Sequence, residues 1–155
     1  MIYIAHRGNL YGPKPELENS PDYIDEAIKN GYNVEVDIWC TNNQLFLGHD
    51  KPQYPIDVKY LLKRYKKLWC HCKNLQALDV LLSFKKLHVF VHDKDMATLT
   101  SQNFVWTYPA STYYTRKSIC VMPELDDFEF NQFDKYYAIC TDYVIDVEKY
   151  FSCNK

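Results

Sequence analysis

The sequence is poor in glycine, lacks any long apolar run and carries little net charge. Only four of its 155 residues are glycine and seven are proline, which excludes collagen-like and low-complexity chains. No apolar run approaches the roughly 20 residues that a membrane-spanning helix needs. A formal net charge of -2 gives bulk electrostatics no means of attracting a nucleic acid. We therefore expect a globular protein with no nucleic-acid partner and no stable membrane insertion.

Disulfide and zinc-binding patterns are also missing. Six cysteines are present, but Cys70 and Cys72 do not have the CxxC spacing of a zinc knuckle. Both of them, like Cys120 and Cys140, lie in apolar runs, where cysteine behaves as a small hydrophobe. The chain enters an apolar strand at Met1, so we expect no signal peptide. These features predict reduced thiols and a cytoplasmic protein.

Apolar strands alternate with helices through the first two-thirds of the chain. Ser20 and Pro21 predict a helix start, as N-cap and first helical residue. Such alternation favours a parallel sheet with crossover helices. Seven strands are predicted, at Met1–Ala5, Val34–Ile38, Leu68–Cys72, Leu87–Val91, Phe104–Trp106, Ser118–Met122 and Tyr137–Cys140. The predicted helices are Pro21–Lys29, Val58–Tyr65, Leu75–Phe84 and a short one near Asp146–Phe151.

Candidate chemical groups lie at the ends of most of these strands. They are His6-Arg7, Glu35 and Asp37, His71 and Lys73, His92-Asp93, and Thr141-Asp142. Reactive groups at the carboxyl ends of successive parallel strands are typical of a (β/α)8 barrel, which usually needs about 200 residues or more. We therefore predict an α/β fold over residues 1–155: a single domain forming a small, abbreviated (β/α)8 TIM-like barrel, with several outer helices shortened or missing.

The densest group of candidate residues lies in Asn33–Asp50. Alternation places Glu35 and Asp37 on one face of a strand, about 7 Å apart. The turn predicted at Asn42-Asn43 returns the chain, and His49 follows the second strand of that hairpin. Two carboxylates on one side repel each other unless a cation lies between them, and oxygen ligands suit Mg²⁺ and Ca²⁺. The alternative is that both acids form the solvated face of an antiparallel strand.

Four short motifs resemble a known family. HRG (His6–Gly8), PELENS (Pro15–Ser20), VEVDIW (Val34–Trp39) and GHD (Gly48–Asp50) occur in this order. Together they resemble the glycerophosphodiester phosphodiesterase family, which belongs to the phospholipase-C-like phosphodiesterase TIM-barrel superfamily. The resemblance covers residues 2–50, and beyond them it is limited to the strand end HCKN and the terminal CTDYV.

This resemblance implies metal-assisted cleavage of a small phosphodiester next to a free hydroxyl, a reaction of lipid metabolism. His6 and His49 match the family's general acid and base. One takes the proton of the neighbouring hydroxyl, and the other protonates the departing alkoxide. Arg7 is expected to clamp the phosphate with its fork of donors. Lys73 matches a lysine on the third strand that would contact phosphate.

The resemblance also implies a divalent metal cation. Glu35 and Asp37 match ligands that let the cation neutralise charge on the phosphoryl oxygens, and Glu18 matches a further acidic position near it. The family usually has an acidic ligand two residues before the lysine at 73, where this chain has His71. The resemblance implies Mg²⁺ or Ca²⁺, whereas two carboxylates and one imidazole also suit Mn²⁺, Fe²⁺ or Zn²⁺.

The sequence alone leaves open whether the chain is an enzyme, which reaction it would catalyse and what Asp142 does. The chain could instead be a non-catalytic module that binds a phosphate or phospholipid headgroup, which His71 and the short chain favour. A phospholipase-D-like reaction giving a cyclic phosphate would use the same early residues. Trp106, at a strand end, is expected to line the pocket and stack on a substrate group. Asp142 either belongs to the site or caps the closing turn.

Overall fold

A computed structural model of the chain describes residues 1–108, 114–125 and 130–153, with no side chains described for 130–132. Its strands are β1 Ile2–His6, β2 Asn33–Thr41, β3 Gln44–Leu47, β4 Tyr54–Ile56, β5 Leu68–Cys72, β6 His88–Phe90, β7 Ala97–Leu99, β8 Val105–Thr107, β9 Ser118–Val121 and β10 Ala138–Thr141. Its α-helices are α1 Pro21–Lys29, α2 Val58–Lys63, α3 Leu75–Leu82 and α4 Val144–Cys153. Two 3-10 helices, Pro123–Leu125 and Phe130–Lys135, lie between β9 and β10.

The strands form one curled, mixed sheet. Parallel ladders join them in the order β6-β5-β2-β1-β10-β9-β8, so the first strand of the chain pairs with the last. All seven predicted strands belong to this parallel array. For six of them each end lies within one residue of the prediction, and β2 runs on to Thr41. The predicted α/β class is therefore confirmed, and the described residues form four α-helices of 6 to 10 residues. The (β/α)8 barrel stays a prediction.

Two short antiparallel strands were not predicted. The strand β4 pairs with β3, which itself pairs with β2, and β7 pairs with β8. The strand β4 begins within the segment KPQYP (51–55), for which the sequence predicts a loop. Pro55 is tolerated there because β4 lies at the edge of the sheet, where a missing amide donor costs no ladder bond.

In the described part of the chain no ladder of hydrogen bonds joins β6 to β8. Ser101 and two aromatic rings bridge the gap between these two strands, which we call the seam. The Ser101 amide donates to the Val89 carbonyl at 2.8 Å, and the Val89 amide donates to Ser101 Oγ at 2.9 Å. The rings of Phe90 and Trp106 lie 4.5 Å apart across the seam. Ser101 thus satisfies backbone groups of β6 that a neighbouring strand would otherwise pair.

The strand β2 is buried on both faces. Val34, Val36 and Ile38 pack in one apolar cluster with residues of α1 and α3. Glu35 and Asp37 point the other way and are only 2% and 1% exposed. The alternative of a solvated acidic face is therefore wrong, because helices cover the apolar side of a strand whose acidic side faces the interior of the curled sheet.

Two composition-based expectations can be compared with the structure. The six cysteines are all free thiols, as predicted. Within the described ranges, no helix has both the length and the apolar character needed to cross a bilayer.

We predict that Ser101→Ala lowers the free energy of unfolding by about 1–2 kcal/mol, because the Val89 amide loses its side-chain partner and the Leu87 carbonyl keeps only the 3.3 Å bond from Gln102 Nε2. Ser83→Ala is the matched control, since it removes a 2.7 Å hydroxyl bond to the Val80 carbonyl that is exposed to water. The control should change stability by less than about 0.5 kcal/mol. Urea unfolding measures both, and equal losses would contradict the role of Ser101 at the seam.

Candidate active site

The carboxyl ends of the parallel strands surround a cavity of about 690 Å³. Eight of the nine predicted site residues line it: His6, Arg7, Glu18, Glu35, His49, His71, Lys73 and Trp106. The ninth, Asp37, forms ion pairs with Arg7, His49 and His71. The fold therefore brings every predicted site residue to one end of the sheet.

Left-handed backbone turns place two of these side chains. Arg7 has φ 52° and Gly8 has φ 93°, so the chain turns sharply where β1 ends. Gly48, before His49, has φ 145°, and a Cβ there would lie 2.3 Å from the carbonyl oxygen of Lys51. Only glycine fits that position. A non-glycine residue in the left-handed region, such as Arg7, stores strain of the kind that clusters at functional sites.

Negative charge dominates this end of the molecule. Among the described residues the buried acidic side chains are four carboxylates, those of Glu18, Glu35, Asp37 and Asp142, and no lysine or arginine is buried. The permanently charged cations that contact them are Arg7 and Lys73, which leaves two negative charges unmatched. A buried carboxylate without a partner is costly. The site therefore needs protonated histidines or a bound cation.

Asp142 holds the first of the two predicted catalytic histidines. His6 Nδ1 lies 2.8 Å from Asp142 Oδ1, and His6 Nε2 lies 3.9 Å from Glu35 Oε2. Burial alone lowers the pKa of His6, but the bond to Asp142 and the charge of Glu35 outweigh it, so the pKa is raised. Because Nδ1 donates to Asp142, Nε2 is the ring atom left for proton transfer. Asp142 thus belongs to the site.

The second histidine is held in one tautomer. His49 Nδ1 lies 3.1 Å from Asp37 Oδ2, and His49 Nε2 lies 3.1 Å from Arg7 Nη2. A guanidinium can only donate, so in this bond His49 Nε2 accepts. The proton of the neutral ring is then on Nδ1, which donates a hydrogen bond to the carboxylate of Asp37. Two longer contacts, both of 3.5 Å, oppose this tautomer, since Asp50 Oδ1 faces Nε2 and Lys73 Nζ faces Nδ1. The two 3.1 Å bonds outweigh them because Asp50 is exposed to solvent, and His49 then presents an unprotonated Nε2.

A three-residue group has the composition of a metal site. Ligand atoms of Glu35, Asp37 and His71 lie within 4.8 Å of one another. His71 Nε2 lies 3.2 Å from the carbonyl oxygen of His92, so Nδ1 faces the carboxylates, 3.0 Å from Asp37 Oδ1 and 3.6 Å from Glu35 Oε1. A backbone carbonyl on the second ring nitrogen is a common arrangement for histidine ligands. Glu35 Oε2 has no hydrogen-bond partner. These residues fit a divalent cation.

Without a metal, a proton on His71 supplies the positive charge between the imidazole and the two carboxylates. Burial lowers the pKa of His71, but hydrogen bonds to Asp37 and Glu35 outweigh this effect and raise the pKa to about 9. Burial raises the pKa of Asp37, yet hydrogen bonds from His49 and His71 and the charge of Lys73 hold it well below its usual value. A cation between His71 and the two carboxylates would replace the His71 proton.

Glu18 lies outside this three-residue group. Its Oε2 accepts from Arg7 Nη1 at 3.0 Å, and its Oε1 accepts from Asn9 Nδ2 at 2.9 Å. Both carboxylate oxygens are therefore engaged, one by Arg7 and one by Asn9. Its role as a metal ligand stays a prediction.

Lys73 and Trp106 lie on different walls of the cavity. Lys73 Nζ is 3.5 Å from both Asp37 Oδ1 and His49 Nδ1, so it adds positive charge beside the acids. Trp106 is only 4% exposed and packs against Phe90. Little of its ring is free to stack on a ligand, and substrate binding by either residue stays a prediction.

Two buried asparagines were missed by the sequence analysis. Asn19 donates from Nδ2 to Asp37 Oδ2 at 2.9 Å and accepts from the Asp37 amide at 2.8 Å. Asn9 donates from the same Nδ2 to Glu18 and to Asp142. Asn9 directly follows the HRG motif and Asn19 lies within PELENS, and this position is the one signal that marked them. Neutral amides supply donors to the carboxylates without adding charge.

No protein-family model, curated protein or solved structure matches this chain. The family resemblance of the four motifs therefore stays a prediction, and the function is argued from the geometry of the site.

We predict that Mn²⁺ binding at pH 7.5 releases about one proton, because His71, with a pKa of about 9, must be neutral to bind a metal. The apparent affinity should rise by up to tenfold per pH unit below pH 9. Calorimetry in buffers that differ in ionisation enthalpy measures the released proton. His71→Asp, which places at this position the acid that the resembled family has there, is the matched variant. A proton release of the same size in that variant, or none in the unmodified chain, would show that His71 is not a ligand.

Proposed function

We propose that this protein is a metal-dependent phosphodiesterase that hydrolyses a glycerophosphodiester-type substrate by histidine acid-base catalysis. One observation carries the proposal: two histidines, each held through Nδ1 by a buried carboxylate, line the same cavity as a three-residue metal-type group. A pure binding site has no need for two oriented imidazoles. The order of the seven parallel strands, in which the first strand of the chain pairs with the last, supports, as part of this proposal, an abbreviated (β/α)8 barrel. A cytoplasmic role in lipid metabolism remains an expectation from the sequence.

His6 is the proposed proton donor. Its raised pKa favours the protonated ring, and Asp142 fixes Nδ1 so that the transferable proton is on Nε2. As the ester bond breaks, that proton passes to the oxygen of the departing alcohol. Such a step typically contributes about 10²–10⁴-fold to the rate.

His49 is the proposed proton acceptor. Its Nε2 is unprotonated in the tautomer that Arg7 and Asp37 impose. A hydroxyl next to the phosphodiester, or a water, would displace Arg7 from Nε2 and give up its proton there. The Arg7 group released in this exchange would then be free to bind a phosphoryl oxygen.

Glu35, Asp37 and His71 are the proposed ligands of a divalent cation, which when bound would neutralise charge on the phosphoryl oxygens. Two oxygen donors and one nitrogen donor suit Mn²⁺, Fe²⁺ or Zn²⁺ as well as Mg²⁺ or Ca²⁺. Lys73, which contacts Asp37, would add a further positive charge beside the same oxygens.

The second candidate function is a non-catalytic module that binds a phosphate or phospholipid headgroup. The position of the two cations favours it, because Arg7 and Lys73 line the same cavity. Both side chains can donate hydrogen bonds to a phosphate without any catalytic step. The two functions differ in whether the bound phosphodiester is cleaved.

We predict that metal-stripped protein does not hydrolyse glycerophosphodiesters or bis(p-nitrophenyl) phosphate, and that one of Mg²⁺, Ca²⁺, Mn²⁺ or Zn²⁺ restores turnover. Glu35→Gln should abolish the restored activity, because it keeps the shape of the side chain but removes the ligand charge. Phosphorus NMR of the products separates hydrolysis to a monoester from phospholipase-D-like formation of a cyclic phosphate. Folded protein that binds these substrates and turns over none with any metal would support the binding module instead.

We also predict that His6→Ala and His49→Ala respond differently to the leaving group. With an alkyl ester of glycerophosphate, each variant should lose about 10²–10⁴-fold in kcat. With the p-nitrophenyl ester, whose leaving group needs no proton, His6→Ala should lose less than about tenfold while His49→Ala remains impaired. Equal losses of His6→Ala on both esters would contradict its assignment as the proton donor.

A further inference from the structure

Asn9 joins the two halves of the site. It is fully buried, and its Nδ2 donates to Asp142 Oδ1 at 2.7 Å and to Glu18 Oε1 at 2.9 Å. Asp142 holds His6, and Glu18 holds Arg7. The amide group of Asn9 therefore connects Asp142, which orients the proposed proton donor, with Glu18, which orients the proposed phosphate clamp.

The side-chain oxygen of Asn9 is also hydrogen-bonded. Its Oδ1 accepts from the Lys14 amide at 3.2 Å and from the Tyr23 hydroxyl at 3.3 Å. Tyr23 is a buried residue of α1, and its ring also packs against Gly8, where a Cβ would approach it to 2.9 Å. All the hydrogen-bonding capacity of the Asn9 amide is therefore used, and its orientation is determined by both its donors and its acceptor.

We propose that Asn9 is a positioning residue that aligns His6 with Arg7. This inference rests on the proposed phosphodiesterase function. Asn9 touches neither the metal-type group nor any reacting atom, and it acts only through Asp142 and Glu18. Without its amide, these two carboxylates lose the shared donor that holds them in one arrangement, and they move apart because like charges repel.

The identity of residue 9 matters because of charge. An aspartate at this position has the same shape as asparagine, but it replaces the donor with a third carboxylate beside Asp142 and Glu18. The same-size variant Asn9→Asp therefore tests the amide donor separately from packing. Tyr23→Phe is the matched control, because it removes one acceptor-side bond of Asn9 and leaves both carboxylate bonds in place.

The kinetic test compares the alkyl and p-nitrophenyl esters of glycerophosphate, with the metal that supports turnover. Asn9→Asp and Asn9→Ala should lower kcat by about 10- to 100-fold on the alkyl ester. On the p-nitrophenyl ester, which needs no proton donor, the loss should be at least about threefold smaller, because only the misplacement of Arg7 then lowers kcat. Tyr23→Phe should keep kcat within about threefold on both. Equal losses on the two esters would reduce Asn9 to a structural residue and overturn the proposal.

A second measurement does not depend on turnover. In the metal-free protein, proton NMR should detect the His6 Nδ1 proton that is bonded to Asp142, and Tyr23→Phe should retain it. Asn9→Asp should lose or shift this signal while the protein stays folded, and Asn9→Ala serves if the aspartate variant does not fold. An unchanged signal in a folded Asn9 variant would overturn the inference. Absence of turnover in the unmodified protein, with the NMR result as expected, would refute only the proposed function.

Discussion

The constraint on which this structure depends is the burial of four carboxylates at one end of a curled sheet, where Arg7 and Lys73 are the fixed cations that contact them among the residues described. Burial of like charges is unfavourable unless donors or cations surround them. The residues around the carboxylates supply these donors and cations. Arg7, whose backbone is left-handed, supplies a positive charge, and the amides of Asn9 and Asn19 supply neutral donors. Two imidazoles donate from Nδ1 to carboxylates. The remaining imbalance of two negative charges matches one divalent cation or two protons.

The fold places these acids by making β2 the central element. Its apolar residues face helices and its acidic residues face the interior, so a nine-residue strand is buried on both sides. Since β1 and β5 flank it in parallel register, His6 pairs with Glu35 and His71 pairs with Asp37 in adjacent positions. Parallel pairing thus converts short motifs that are distant in the sequence into one cluster.

Much of the site could be predicted because its residues occur at strand ends or alternate along a strand. Glu35, Asp37, His71 and Lys73 follow from that periodicity, and the parallel strands follow from apolar runs. The bond between His6 and Asp142 spans 136 positions and depends on the pairing of β1 with β10, which no local pattern encodes. The roles of Asn9 and Asn19 depend on where the carboxylates lie. The antiparallel β4 and β7 are short edge strands without clear alternation, so sequence patterns did not indicate them.

The most direct test of this account is a crystal structure of the protein with bound Mn²⁺, using the anomalous signal to locate the metal. We expect a single strong peak within coordination distance, about 2.0–2.6 Å, of carboxylate oxygens of Glu35 and Asp37 and of Nδ1 of His71. The unpaired Glu35 Oε2 should then have a partner. A structure without a peak at this position, in which His71 still contacts Asp37 directly as in the metal-free protein, would contradict the claim that the buried negative charge is arranged for a divalent cation.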